Sequence, residues 1–265
     1  MRTKELVKQR VLADKRELAD AHCHLHMLSA AQITTAIAYG VSTMITNGVD
    51  TASNIRSLEL ADNKHVFAAL GVDPEHALTM SDAEIDFNIR IIKSNASALV
   101  AIGEIGLDYA KAKEAAAIAR QREVFGRFLD LAVELGMPAS IHSRRAIDDV
   151  LAMTKERGVT RAHLHFFEGT AQHAREAVRR GYTLSVPPMH SAQRAEAIRN
   201  IDMRYLMAES DSPAAGKTPE EVENSVRLIA NVRSMRFDEV AEIVVENTKR
   251  FFNTRIAGTR TLQRR

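Results

Sequence analysis

Asp20-Ala21-His22-Cys23-His24 is the stretch whose residue types and spacing most directly promise chemistry. In a strand successive side chains face opposite ways, so His22 and His24 project together and Cys23 turns away. Two converging imidazoles suit a divalent metal ion. His26 continues the alternation and either joins the pair or marks the following loop.

Other chemistry-bearing residues recur at the ends of apolar runs. Glu104 stands alone in the run Ala101 to Leu107, where an unpaired carboxylate costs several kcal/mol, as an order of magnitude, unless a cation offsets it. His142 ends another run and precedes Arg144, and His163 and His165 form a second same-face pair. Asp211 follows a run that closes at Glu209. Any one of these could be a satisfied core residue. Their shared placement, each at the end of a strand-like run, points to one polar rim.

Positioning them takes an alternation of strands and helices. Strand-like segments are expected near 18–25, 42–49, 65–72, 99–107, 137–142, 161–167, 182–186 and 204–209, with helical segments between them. Gly40 and Gly136 read as helix stops and Ser81 as a helix cap. Two helices, near 219–232 and 237–252, close the pattern. Eight strands, each followed by a helix, predict an α/β fold closed as a (β/α)8 TIM barrel, with catalytic groups at the C-terminal strand ends. The domain organisation expected is an N-terminal helical extension over 1–17, one barrel over 18–254 and a basic tail over 255–265.

Composition bounds the reading. The chain has 265 residues, 45% of them hydrophobic and 26% charged, an ordinary globular balance. No apolar run approaches the roughly 20 residues that span a bilayer, and no secretion-type apolar core leads the chain, so a cytoplasmic location without membrane contact is expected. Lone Cys23 reads as a small buried residue rather than a nucleophile. A formal charge of +2 does not by itself argue for nucleic acid. Basic residues at both ends read as solvated termini, with phosphate contact the alternative.

The chain resembles the TatD family of metal-dependent hydrolases, in the amidohydrolase-like barrels, from Asp20 to about Phe252. The resemblance is carried by Asp20-Ala-His-Cys-His-Leu25, Gly103-Glu-Ile-Gly-Leu-Asp108, Gln121 with Phe125, Pro138 to Ala146, His165-Phe-Phe-Glu-Gly169, Glu209-Ser-Asp-Ser-Pro213, and Asn247 to Phe251. It implies one metal held by His22, His24, Glu104 and Asp211, and a second held by Glu104, His142 and His165. Glu104 would bridge them. His163 falls behind the ligands or on the substrate side.

The implied cofactors are two divalent ions, zinc, manganese or magnesium, that bring water's pKa towards neutrality. Glu104 and Asp211 are the implied catalytic carboxylates, Asp211 as proton acceptor. Arg144 is a candidate phosphate-binding cation, or else an ion-pair partner that orients Glu104 or Glu209. The implied activity is deoxyribonuclease-type cleavage of DNA phosphodiesters. The alternatives are hydrolysis of a small phospho- or carboxylic ester, lactone or amide, and a non-catalytic nucleic-acid-binding barrel. Related barrels that act on small esters and amides often bridge their metals with a modified lysine where this chain has Glu104.

Two departures bear on substrate. The family usually has a histidine where this chain has Asp73, in Gly71-Val72-Asp73-Pro74; His76, close by, either substitutes for it or is an exposed loop residue, the reading adopted. Glu168 stands where a small residue is usual. Oligomeric state is not encoded in any motif.

Overall fold

Small and β-branched apolar residues fill the strand segments, and their backbones pair in one direction throughout. The computed structural model describes residues 17–254. Its strands are β1 (Leu18–Cys23), β2 (Val41–Asn47), β3 (Val66–Leu70), β4 (Leu99–Asp108), β5 (Ala139–Arg144), β6 (Ala162–Leu164), β7 (Thr183–Val186) and β8 (Leu206–Ala208). They form one parallel sheet in sequence order. The expected N-terminal extension, apart from Glu17, and the expected tail over 255–265 lie outside the described residues.

The helices are α1 (Ala30–Tyr39), α2 (Thr51–Leu60), α3 (Pro74–Ala77), α4 (Asp82–Asn95), α5 (Ala115–Leu135), α6 (Ile147–Glu156), α7 (Ala171–Arg179), α8 (Ala192–Ile198), α9 (Val222–Arg233) and α10 (Phe237–Phe252). The one-helix-per-strand expectation therefore needs correction after β3, which is followed by two, while the two closing helices after β8 are those expected. Ser81 caps α4 as expected: its hydroxyl accepts from Glu84 N–H, while the Glu84 carboxylate accepts from Ser81 N–H. Gly40 and Gly136 end α1 and α5, and Gly136 does so in the left-handed conformation that glycine enters without steric cost.

Several strands are shorter than their apolar runs. The run 161–167 pairs only over β6 and the run 204–209 only over β8, because Met203–Tyr205 forms a 3-10 turn and the chain bends sharply past each strand end. Phe166 and Asp211 both take φ +47°. A bulky residue there is uncommon and marks a backbone held by its surroundings.

Leu, Ile, Val and Phe side chains between sheet and helices form the larger core. Inside the barrel a smaller cluster of Ala21, Ile45, Phe67, Ala69, Ala101, Met207, Phe251 and Phe252 plugs the lower end, the two phenylalanines arriving from the end of α10. The upper interior is polar. Closure between first and last strands runs through the segment after β8: Asp211 N–H donates to His22 O (3.0 Å) and His24 N–H to Ser212 O (2.8 Å). Below these, Ser210 N–H donates to the buried Asp20 carboxylate (2.8 Å).

Asn54, fully buried on α2, ties three elements together. Its amide donates to Gly71 O (2.8 Å) and to Asn88 Oδ1 (2.8 Å) on α4, and its Oδ1 accepts from Gly71 N–H (3.1 Å). Asn54→Ala strands both polar groups of Gly71 and should lower unfolding free energy by about 3 kcal/mol, whereas Ser81→Ala, the loss of one exposed cap, should cost about 1 kcal/mol. Urea unfolding with unchanged slope checks both; equal effects would show that Asn54 is not the tie described.

Candidate metal centre

The upper end of the barrel interior gathers the sequence-selected residues at the floor of an open basin of about 620 Å³. His22 and His24 rise from the end of β1, Glu104 from β4, His142 from β5, His165 from just beyond β6 and Asp211 from just beyond β8. Gly106 makes β4 fit against β5. It has φ +149°, and a Cβ there would lie 2.1 Å from His142 O, so only glycine allows this approach.

The two oxygens of Glu104 face different partners. Oε2 lies 3.2 Å from His22 Nε2 and 3.4 Å from His24 Nε2, and Asp211 Oδ1 lies 3.4 Å from that same His24 nitrogen. Oε1 lies 3.0 Å from His142 Nδ1 and 3.2 Å from His165 Nε2. The candidate ligand atoms of His22, His24 and Asp211 fall inside 4.8 Å of one another, and so do those of Glu104, His142 and His165.

This donor set fits a metal. His142 Nδ1 and His165 Nε2 face each other at 3.1 Å, an approach that two imidazole lone pairs tolerate only with a proton or cation between them. His22 Nε2 is buried with no hydrogen-bond partner although a carboxylate faces it. Ligands at about 2.1 Å from a tetrahedral ion stand about 3.4 Å apart, the spacing found here. A third group, His22, His165 and Glu209, overlaps these two. Glu209 is already engaged, accepting from Phe166 N–H (2.6 Å) and from the Ser185 hydroxyl (2.6 Å).

Behind the rings sits a supporting layer. His24 Nδ1 meets Asn47 O at 3.0 Å, which turns Nε2 toward the carboxylates. Asp108 Oδ2 lies 3.4 Å from His142 Nε2, and Glu209 Oε2 lies 3.8 Å from His165 Nδ1. A carboxylate behind a histidine fixes the ring and raises its basicity toward a metal. Asp108 and Glu209 were not singled out as site residues from sequence. The signal for Asp108 was its position four residues after Glu104 in the same strand; that for Glu209 was a carboxylate ending the β8 run.

The titrations follow burial and neighbours. Burial and the adjacent His165 push His22 down to about 3. Burial opposes charge on His24 and His142 too, but Asp211 with Glu104 lifts the first to about 9, and Asp108 with Glu104 lifts the second to about 10. Burial would raise Glu104, yet His165, His142 and His22 hold it well below the usual carboxylate range. Glu209 is pushed by burial up to about 7 and Asp20 up to about 8. A bound dication displaces the protons from its histidines, since one lone pair cannot serve both.

The remaining expectations sort by depth. His163 is fully buried beneath the cluster, its Nε2 2.8 Å from Ser185 Oγ and its ring packed edge-on against Phe251 and Phe252; it lines no part of the basin. That corrects a substrate-side placement, because two aromatic rings and a serine fill the space around it. His26 lines the basin, its ring 5.5 Å from that of His24. Arg144 stands half-exposed on the rim, and its acidic neighbour is Asp108 (4.0 Å) rather than Glu104 or Glu209.

Asp73 caps α3 and accepts from His76 N–H (2.8 Å) and ring Nδ1 (2.7 Å). His76 is thus a helix residue held by Asp73 and lining the basin, not a free loop residue; the aspartate bond and then its charge raise its pKa despite partial burial. Cys23 is buried and unpaired in the outer core, as expected.

Comparison with known proteins agrees with this geometry. A family model described as TatD related DNase matches residues 19–253. The chain is 32% identical to the Bacillus subtilis metal-dependent hydrolase YabD, over 89% of this chain and 98% of that one. It is 29% identical to human deoxyribonuclease TATDN3, over 89% and 94% respectively. The crystal structure of YjjV, a TatD homologue from Escherichia coli K12, superposes with a TM-score of 0.81 at 25% identity, covering 90% of this chain and 99% of that one. No helix among the described residues is long and apolar enough to cross a membrane. With eight parallel strands in barrel order and imidazole and carboxylate clusters at their C-terminal ends, the chain belongs to the TatD-related DNase family and is a metal-dependent hydrolase acting on ester bonds.

Proposed function

We propose that the protein cleaves phosphodiester bonds of DNA with the help of two divalent ions, zinc, manganese or magnesium. The observation that carries this reading is the division of Glu104, one oxygen toward His22 and His24, the other toward His142 and His165. His22, His24, Glu104 and Asp211 would hold one ion and Glu104, His142 and His165 the second. Bound ions supply Lewis acidity, bringing water's pKa towards neutrality and drawing off charge from a phosphoryl oxygen. The human relative named a deoxyribonuclease supports DNA as the substrate.

The chain's own groups divide the remaining work. Asp211 is kept ionised, against its burial, by His24, His165 and His22, so its carboxylate accepts the proton of the attacking water. Arg144 presents a planar fork to a phosphate oxygen at the open rim. Asp73 and His76 stand across the basin on the substrate side. Residues 18–254 form the hydrolase barrel, with 1–17 and 255–265 as flanking segments, and a cytoplasmic location is part of this reading.

Metal-stripped protein should leave a short end-labelled single-stranded DNA intact, and adding zinc, manganese or magnesium back should restore stepwise shortening. Glu104→Ala, His22→Ala and Asp211→Ala should each remove that activity, by about a thousand-fold or more. Full activity in Glu104→Ala would end the assignment of Glu104. Cleavage of a small phosphoester or lactone with DNA untouched would end the DNA assignment while leaving the metal site.

Asp108→Ala removes the group behind His142 without removing a ligand. It should weaken metal affinity about 10- to 100-fold, read by equilibrium dialysis with metal analysis. Unchanged affinity would show that the Asp108 contact does not hold the ring.

A further inference from the structure

The opposite end of the barrel carries a second concentration of charge that the hydrolytic site does not use. A cavity of about 530 Å³ there is lined by Arg161, Arg204, Arg250, Thr183, Tyr205 and Phe251, together with Gly181. Arg161 immediately precedes β6, Thr183 opens β7, Arg204 and Tyr205 precede β8, and Arg250 and Phe251 belong to the last turn of α10. All lie at the N-terminal ends of the strands, away from Glu104. Among the described residues, no acidic one lines this cavity.

Only one of the three guanidinium groups has an acidic partner among the described residues. Arg161 donates to Phe251 O and lies with its Cζ 5.5 Å over the Phe251 ring. Arg250 donates to Arg204 O (2.7 Å) and to Asn247 Oδ1 (2.8 Å). Among the described residues, neither has a carboxylate within ion-pair distance. Arg204 alone meets an acid, Asp202, through Nε (2.7 Å), which leaves its outer Nη edge available. Partial burial lowers the pKa of Arg161, the direction expected of a cation short of counter-charge.

Three guanidinium groups around one cavity repel one another, and for Arg161 and Arg250 carbonyl partners satisfy hydrogens without cancelling charge. A multiply charged oxyanion does both, because guanidinium forks match tetrahedral phosphate oxygens in pairs. Hydroxyls of Tyr205 and Thr183 and the face of Phe251 add polar and apolar wall at the same place.

The geometry points to a phosphate-binding site at the base of the barrel, formed by Arg161, Arg204 and Arg250 and separate from the hydrolytic centre. Its ligand is a phosphate group, carried either by a small phosphate monoester or by the backbone of a nucleic-acid strand. The inference stands on charge and cavity alone and does not depend on the deoxyribonuclease reading.

The test uses the full-length, metal-loaded protein, titrated calorimetrically with inorganic phosphate, with dAMP and with a twelve-nucleotide DNA. The variants are Arg204→Gln with Arg250→Gln, and the single charge reversal Arg204→Glu at an exposed position. Phosphate affinity should fall at least ten-fold in both, with hydrolysis of a small phosphodiester unchanged. Should DNA affinity fall in parallel and lose salt dependence, the phosphate belongs to a strand; should only phosphate and dAMP weaken, it belongs to a small ester. Identical phosphate isotherms in wild type and both variants would overturn the site.

Discussion

Closure of the barrel between its first and last strands is the constraint on which the site depends. Asp20 and the segment Ser210–Ser212 make that closure, through the Asp20 carboxylate and through two backbone bonds that use His22, His24 and Asp211 themselves. The residues that seal the seam are thus the same residues, or the immediate neighbours, of those that face the metal centre. Position and chemistry cannot be separated here. A seam that opened would part His24 from Asp211, currently 3.4 Å apart, before disturbing any other strand pair.

That seam is costly in electrostatic terms, and the cost shows in the titrations. Asp20, Glu104, Glu209 and Asp211 are all nearly or fully buried within one layer of the barrel. Burial drives Asp20 and Glu209 upward, while surrounding imidazoles hold Glu104 and Asp211 down. The chain therefore splits its acids into two kinds. Those hydrogen-bonded to serines and backbone brace the structure; those facing imidazoles remain ionised and able to receive a cation.

Much of this was legible from sequence because it rests on short-range regularities. Alternation of apolar runs with capped helices gives the eight strands, and a polar residue at each run's end gives His22, His24, Glu104, His142, His165 and Asp211. What could not be read is what depends on long-range packing. His163 looks the same in sequence as His165, two residues away on the same face, yet the Phe251 and Phe252 plug from the last helix buries one and leaves the other at the basin floor. His76 looks like a loop residue until Asp73, three positions after the β3 end, caps a single helical turn that holds it. Asp108 matters only because β5 brings His142 beside it.

The two ends of the barrel then obey one rule with opposite signs. At the C-terminal ends of the strands, Glu104, Asp108, Glu209 and Asp211 concentrate negative charge where an anionic substrate would have to approach. A divalent cation held there would offset that charge. At the N-terminal ends, Arg161, Arg204 and Arg250 concentrate positive charge around a cavity that no carboxylate of the described residues lines. At the upper end imidazoles face carboxylates able to take a cation, and at the lower end Arg161 and Arg250 have carbonyl oxygens rather than carboxylates as partners. An imbalance of that kind specifies the sign of what must bind, a cation above and an anion below, and parallel strands keep the two ends about a barrel's length apart.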